Sequence, residues 1–146
     1  MFIGEYLHSL DEKGRLTIPN IFRQELGEKF YITRGFDKCL QLYTVEEWKK
    51  FSALLLEFSP TDEASLNVKR FWFSGSVEST WDKLGRVLIP SYLREYAELD
   101  RDVVIIGVGR YIEIWSKENW ERFKKQIDLL EKIKEVNEKA EKLWKK

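Results

Sequence analysis

At 146 residues the chain has room for one compact domain or two intertwined half-domains. Six Trp, six Tyr and nine Phe can fill a core without help from disulfides or metal. With 25 Lys+Arg against 25 Asp+Glu, a uniformly basic nucleic-acid binder is excluded: any basic surface must be local, with acidic residues elsewhere.

The N-terminal Met1-Phe2-Ile3-Gly4-Glu5-Tyr6 has neither the basic start nor the apolar stretch of a signal peptide. The longest β-branched run, Val103-Val104-Ile105-Ile106, is far too short to span a bilayer. Cys39 is the only cysteine, so no internal disulfide framework is possible. The expectation is a soluble protein of a reducing cytoplasm, without a membrane partner. The 34% charged content exceeds the usual ~25%, a pattern shared by heat-adapted proteins and by mesophilic proteins with charged surfaces.

In chain order, residues 5–10 read as a strand. Asp11-Glu12-Lys13-Gly14 reads as a turn, since Asp first and Gly fourth are the type I signature. Arg15-Leu16-Thr17-Ile18 returns as a strand. Pro19 fits the first turn of a helix, where its missing N–H costs nothing. That helix holds Ile21, Phe22 and Leu26, with Gly27 as its stop. Strands follow at residues 29–33 and 39–43. Thr44 with Glu47 makes a capping box for a helix whose Val45, Trp48, Phe51 and Leu55 keep helical spacing. Ser59-Pro60-Thr61 breaks the chain. A second helix is predicted over residues 62–72, giving a helical hairpin.

The second half repeats the first. Phe2-Ile3-Gly4 recurs as Phe73-Ser74-Gly75, and Asp11-Glu12-Lys13-Gly14-Arg15 recurs as Asp82-Lys83-Leu84-Gly85-Arg86. Ile18-Pro19 recurs as Ile89-Pro90, and Arg23 as Arg94. After one extra residue, Gly35 matches Gly107 and Leu40-Gln41-Leu42-Tyr43 matches Ile112-Glu113-Ile114-Trp115. Thr44, Glu46, Trp48 and Phe51 match Ser116, Glu118, Trp120 and Phe123. Beyond Ser116 the pattern predicts helix almost to the end. Trp120, Phe123, Ile127, Leu130, Ile133, Val136, Ala140 and Leu143 lie on one apolar stripe, a packing face. The predicted organisation is a first repeat over 1–58, a connecting helical segment over 59–72, and a second repeat with an extended C-terminal helix over 73–146.

The chemistry on offer is narrow. Nucleophilic catalysis needs a nucleophile with a base, and the only pair available is Cys39 with His8, each present in one copy only. A buried thiol and an ordinary strand histidine account for them more simply. No His or Cys pair stands at metal-ligand spacing, so neither a metal nor another cofactor is expected. Gly107-Val108-Gly109 lacks the third glycine of a nucleotide loop and reads as a strand bend. What remains is the duplicated Asp-x-x-Gly-Arg. It is a well-made turn, with Asp as cap, Gly allowing positive φ and Arg paired to Asp. It also sets a basic side chain at the same place in both copies, where Arg15, Arg86, Lys13 and Lys83 could meet a duplex. The residues alone leave both readings open.

Taken together, Leu10-Asp11-Glu12-Lys13-Gly14-Arg15, Ile18-Pro19, Phe22-Arg23, Arg34-Gly35-Phe36-Asp37-Lys38-Cys39-Leu40, Tyr43 with Glu47-Trp48, Asp82 to Pro90, and Ile112 to Trp115 resemble the MraZ family of bacterial regulators, from Met1 to about Lys124. The resemblance implies an α+β fold: an AbrB-like swapped-hairpin β-barrel with pseudo-twofold symmetry, formed by the two tandem repeats and flanked by helices. It implies a ring-shaped homo-oligomer at the nucleoid. It also implies sequence-specific binding of double-stranded DNA at tandem promoter repeats, upstream of the division and cell-wall gene cluster that the regulator itself heads. The DNA-contacting role then falls on Lys13, Arg15, Lys83 and Arg86, with Asp11, Gly14, Asp82 and Gly85 shaping the turns. Leu84 departs from this scheme, being apolar where the first copy has Lys13. The lysine-rich end beyond Lys124 matches no motif. The alternative is a non-enzymatic ring-forming protein-interaction module whose turns are scaffolding.

Overall fold

Each half of the chain folds into the same run of elements in a computed structural model that describes residues 1–144. The first copy comprises β1 (Glu5–Ser9), β2 (Arg15–Thr17), α1 (Asn20–Leu26), β3 (Lys29–Arg34), β4 (Leu40–Thr44) and α2 (Val45–Leu56). A connecting helix, α3 (Glu63–Gly75), leads to the second. That copy comprises β5 (Val77–Thr80), β6 (Arg86–Leu88), α4 (Ser91–Tyr96), β7 (Asp102–Gly107), β8 (Ile112–Ser116) and α5 (Lys117–Gln126), followed by α6 (Leu129–Trp144).

The fold is α+β, and the copies exchange strands. Six antiparallel strands run in the order β1-β7-β8-β4-β3-β5. Thus β1 of the first copy lies on β7 of the second (Tyr6 opposite Ile105), and β5 of the second lies on β3 of the first (Phe30 opposite Ser79). β4 and β8 meet in the middle, with Gln41 opposite Glu113. Each copy therefore needs the other to complete its sheet.

The expected closed barrel is not formed. β1 and β5 are free edges of the six-stranded sheet, while β2 and β6 pair only with each other as a separate ribbon. Just past the end of β1, Leu10 makes one isolated bridge to Leu16 of β2. The reason is local. Each ribbon strand has three residues and is soon followed by Pro19 or Pro90, which have no N–H to extend a ladder.

Alternation along the strands divides the interior in two. Phe30, Ile32, Leu40, Leu42, Val103, Ile105, Ile112 and Ile114 point to one side, where they meet Leu16 and Val87 of the ribbon and Phe22 and Leu93 of α1 and α4. On the other side Trp115, Val104 and Ile106 pack under Trp120 and Phe123 of α5. There α2 lays Phe51 on Tyr43, ring centroids 5.4 Å apart, and meets α3 through Phe51–Trp72 at 6.2 Å. The predicted helical hairpin is thus present.

Two local readings change. The Thr44 hydroxyl accepts the Glu47 N–H at 3.1 Å, but the Glu47 carboxylate faces Lys50 at 3.4 Å instead of closing the capping box. The single long C-terminal helix breaks in two at Ile127-Asp128. Ile127 is extended (ψ 126°), and the Asp128 carboxylate accepts the Glu131 N–H at 3.2 Å, starting a new helix. The apolar stripe splits with it. Trp120 and Phe123 are packed, but on α6 Leu130 is 75% exposed and Val136 62%. The Leu143 side chain lies outside the described residues.

Candidate nucleic-acid interface

The site is built from two aspartate-centred turns. In the first, the Gly14 N–H donates to the Asp11 carbonyl at 3.0 Å, and Gly14 sits at φ 83°. The Asp11 carboxylate takes three further donors: the N–H of Lys13 (2.9 Å), the N–H of Arg15 (2.8 Å) and Arg15 Nε (2.6 Å). The second turn copies this closely. Asp82 accepts the N–H of Leu84 and of Arg86, both at 2.9 Å, and Arg86 Nε at 2.8 Å; Gly85 sits at φ 74°. Such donors stabilise the charged carboxylate. The Arg15 N–H, then its guanidinium, holds Asp11 below the usual carboxylate range, and Arg86 does the same for Asp82.

The β2–β6 ribbon joins the turns back to back. Arg15 lies opposite Leu88, Leu16 opposite Val87, and Thr17 opposite Arg86. Leu16 and Val87 point into the core, fully buried. By alternation Arg15, Thr17, Arg86 and Leu88 share the outward face. The two turns are also tied across copies. Arg86 Nη1 reaches Asp11 Oδ2 at 3.7 Å, and the Ile89 N–H donates to the Gly14 carbonyl at 2.8 Å.

Lys13 and Lys83 stand exposed at the turn tips. All eight residues singled out in the two motifs thus lie in the two adjoining turns: Lys13, Arg15, Lys83 and Arg86 with Asp11 and Asp82 at least partly exposed, and Gly14 and Gly85 buried beneath them. Arg15 and Arg86 already face aspartates, so their charge is partly offset.

Two more arginines belong to this surface. A Cβ built on Gly14 would lie 2.7 Å from Cζ of Arg94, a residue of α4 in the second copy. A Cβ on Gly85 would overlap the guanidinium of Arg23, from α1 of the first copy. Each turn therefore receives an arginine from the opposite copy. Arg23 Nη2 donates to Asn20 Oδ1 at 2.7 Å, whereas Arg94 Nε is buried without a partner. Among the described residues no carboxylate lies within 4.0 Å of Lys13, Lys83, Arg23 or Arg94. The sequence signal for this pair was present, since Arg23 and Arg94 repeat in register. Their position over the opposite turn depends on strand exchange, which the repeat does not reveal.

The other candidate chemistry is not assembled. His8 sits on β1, opposite Val103 and so on the main-core side of the sheet; Cys39 belongs to the cluster on the other side. β1 and β4, which Cys39 immediately precedes, are three positions apart in the sheet, roughly 14 Å at the usual strand spacing. Burial pushes the Cys39 thiol far above its ordinary value, and Glu113 beside it at 3.7 Å adds to the shift. A protonated, enclosed thiol is a poor nucleophile. Gly107-Val108-Gly109 ends β7 against the N-terminal segment: the Gly109 N–H donates to the Phe2 carbonyl at 2.8 Å. Among the described residues no group of His, Cys, Asp or Glu side chains is arranged to hold a metal ion, and no helix is long and apolar enough to cross a membrane.

A family model described as "MraZ protein, putative antitoxin-like" matches residues 1–71 and again residues 72–141. The chain belongs to the MraZ family. Its two matched segments are the two copies that exchange strands. Similar MraZ proteins include the "Transcriptional regulator MraZ" of Dictyoglomus turgidum, 62% identical over 146 residues and the whole of both chains. The protein of the same name from Dictyoglomus thermophilum is 61% identical over 146 residues, again the whole of both. That of Caldanaerobacter subterraneus subsp. tengcongensis is 47% identical over 129 residues, 88% of this chain and 90% of the relative.

Proposed function

We propose that this MraZ-family chain is a non-enzymatic, DNA-binding transcriptional regulator that contacts duplex DNA through the paired Asp-x-x-Gly-Arg turns. The relatives' name, transcriptional regulator, supports the regulatory role. The observation that carries the contact is the outward face of the β2–β6 ribbon. It presents Arg15 and Arg86 together, flanked by Lys13, Lys83, Arg23 and Arg94 with no carboxylate against them. This concentrates positive charge on one surface of a chain with zero net charge. A two-stranded ribbon fits the major groove, where an arginine reads guanine by a bidentate contact. Lysines at the rim hold phosphates and fix register. The exchanged strands agree with the AbrB-like swapped-hairpin topology that the family resemblance implies, and the functional unit is both repeats together rather than 1–58 or 73–146 alone.

Six cations make a modest footprint, so one chain binds weakly. We propose a ring-shaped homo-oligomer, in which several copies meet tandem promoter repeats at high effective concentration. The exposed stripe of α6 offers apolar surface for contacts between chains. The target follows from the family resemblance: the division and cell-wall gene cluster, reached from the cytoplasm at the nucleoid.

Selection of bound duplexes from a random pool by the full chain, followed by sequencing, tests the reading. Enrichment of a short repeated motif with a steep salt dependence is expected. A pool that stays unenriched, or binding indifferent to salt, overturns it. Native mass spectrometry at micromolar concentration tests the ring; a clean monomer would remove that part.

A further inference from the structure

The pseudo-twofold symmetry of the ribbon face breaks in its side chains. The second copy places Leu84 where the first has Lys13, and Leu88 where the first has Thr17. The backbones do not differ to match. The Lys13 and Leu84 N–H groups donate to their aspartates at the same 2.9 Å, so the leucine takes the lysine's place at the turn tip. Leu84 is 70% exposed and Leu88 57%, while Leu16 and Val87 between the outward residues fill the core. Neither leucine adds to that core. Single exposed leucines need no explanation. Here two fall in one copy, at positions polar in the other, on the face that presents both arginines; Leu88 lies directly across from Arg15.

We infer that Leu84 and Leu88 are specificity-determining residues that pack against thymine 5-methyl groups in the major groove. This rests on the DNA-binding reading above. The thymine methyl is the one apolar group exposed on a base-pair edge there, and apolar side chains read it by contact. Lys83, beside Leu84, supplies a phosphate contact at the same turn, so the apolar tip stays anchored in a charged groove. The first copy, with Lys13 and Thr17, meets polar edges and phosphate instead. A module with equal halves reads a palindrome. One with a polar and an apolar half reads its site in a single orientation.

The test replaces thymidine by deoxyuridine, which deletes the methyl and nothing else. A duplex recovered by selection with the wild-type full chain is resynthesised with each thymidine changed in turn. Affinities are measured for wild type, Leu84→Ala and Leu88→Ala. Wild type should lose about four-fold at each methyl that is read, the worth of roughly one buried CH2. Each alanine variant should bind the unmodified duplex more weakly and become indifferent to uracil at one of those positions. Both leucines are exposed, so thermal melting should match wild type. Wild-type affinity that is the same on every uracil duplex overturns the inference, as do alanine variants that keep the full uracil sensitivity. Failure to recover any duplex overturns the DNA reading together with this inference, whereas salt-dependent, sequence-selective binding without uracil sensitivity overturns the inference alone.

Discussion

Gly14→Ala tests how the turn is held, and its cost can be worked from two opposing contributions. Gly14 has φ 83°, where an L side chain costs about 1–2 kcal/mol. The new Cβ would also lie 2.7 Å from Arg94 Cζ and 3.0 Å from Nη1. That overlap sits at the end of a flexible side chain, which can swing away. Arg94 Nε is buried without a partner, so swinging out returns an orphan donor to water and offsets the lost packing. The backbone contribution therefore decides, and the expected loss is about 1–2 kcal/mol. At roughly 2–4 °C per kcal/mol for a chain of this size, Tm should fall by about 2–8 °C. Gly85→Ala should cost more, because Arg23 must give up its 2.7 Å bond to Asn20 when displaced. Urea unfolding of Gly14→Ala, Arg94→Ala and the double variant separates the contributions. Gly14→Ala should cost the same with or without Arg94. A loss beyond about 4 kcal/mol that Arg94→Ala rescues would refute the reasoning, because side-chain overlap would then outweigh the ~1–2 kcal/mol of backbone strain.

Gly107→Ala should be worse, because its Cβ would meet backbone: it overlaps the Phe2–Ile3 peptide and lies 2.7 Å from Ile3 Cα. Relief requires the N-terminal segment to leave, taking Phe2 from its 2% exposed site against Phe22. The loss should approach a core Phe→Ala, about 3–5 kcal/mol, and be strongly non-additive with Phe2→Ala in urea unfolding. Asp11 and Asp82 titrate below their usual value of 3.8 in the folded chain, so the stability they contribute is present above that pH and lost as pH falls through their folded values. Asp11→Asn with Asp82→Asn should flatten the acid limb of the urea midpoint measured from about pH 7 down to about pH 2; an unchanged limb would remove the aspartates as its cause. A fragment of residues 1–58 lacks the strands that pair with β1 and with the outer edge of β3, so circular dichroism should find it without a cooperative transition as a monomer.

The turns were legible because their hydrogen bonds are local: an aspartate, a glycine and an arginine within five positions specify them. The strand boundaries followed from alternation for the same reason. Strand partners were not legible. Tyr6 and Leu7 alternate identically whether β1 pairs within its own copy or on β7, and only three-dimensional packing chooses. The open sheet followed from proline chemistry at Pro19 and Pro90 that was present in the sequence, but its effect on closure depends on which strands compete. At Ile127-Asp128 the apolar period runs on through the break, which masked Asp128 as a new helix cap. Val87-Leu88-Ile89 is uniformly apolar, so periodicity gave no sign that Leu88 alone faces out.

One titration decides whether the paired turns contact DNA. Wild type and the double variant Arg15→Ala, Arg86→Ala are compared by fluorescence anisotropy on tandem-repeat and scrambled duplexes at two salt concentrations. The aspartates keep their backbone N–H bonds and the glycines their φ, so the turns should persist and Tm should fall only slightly, through the lost guanidinium–aspartate bonds. If the arginines read guanine edges, affinity for the repeats should fall by about 1–3 kcal/mol per site, with relaxed specificity. If they hold phosphate, binding should weaken on both duplexes and the salt slope should shrink. A folded double variant that still binds the tandem repeats with wild-type affinity would refute the DNA contact at the turns. It would reduce the turns to scaffolding.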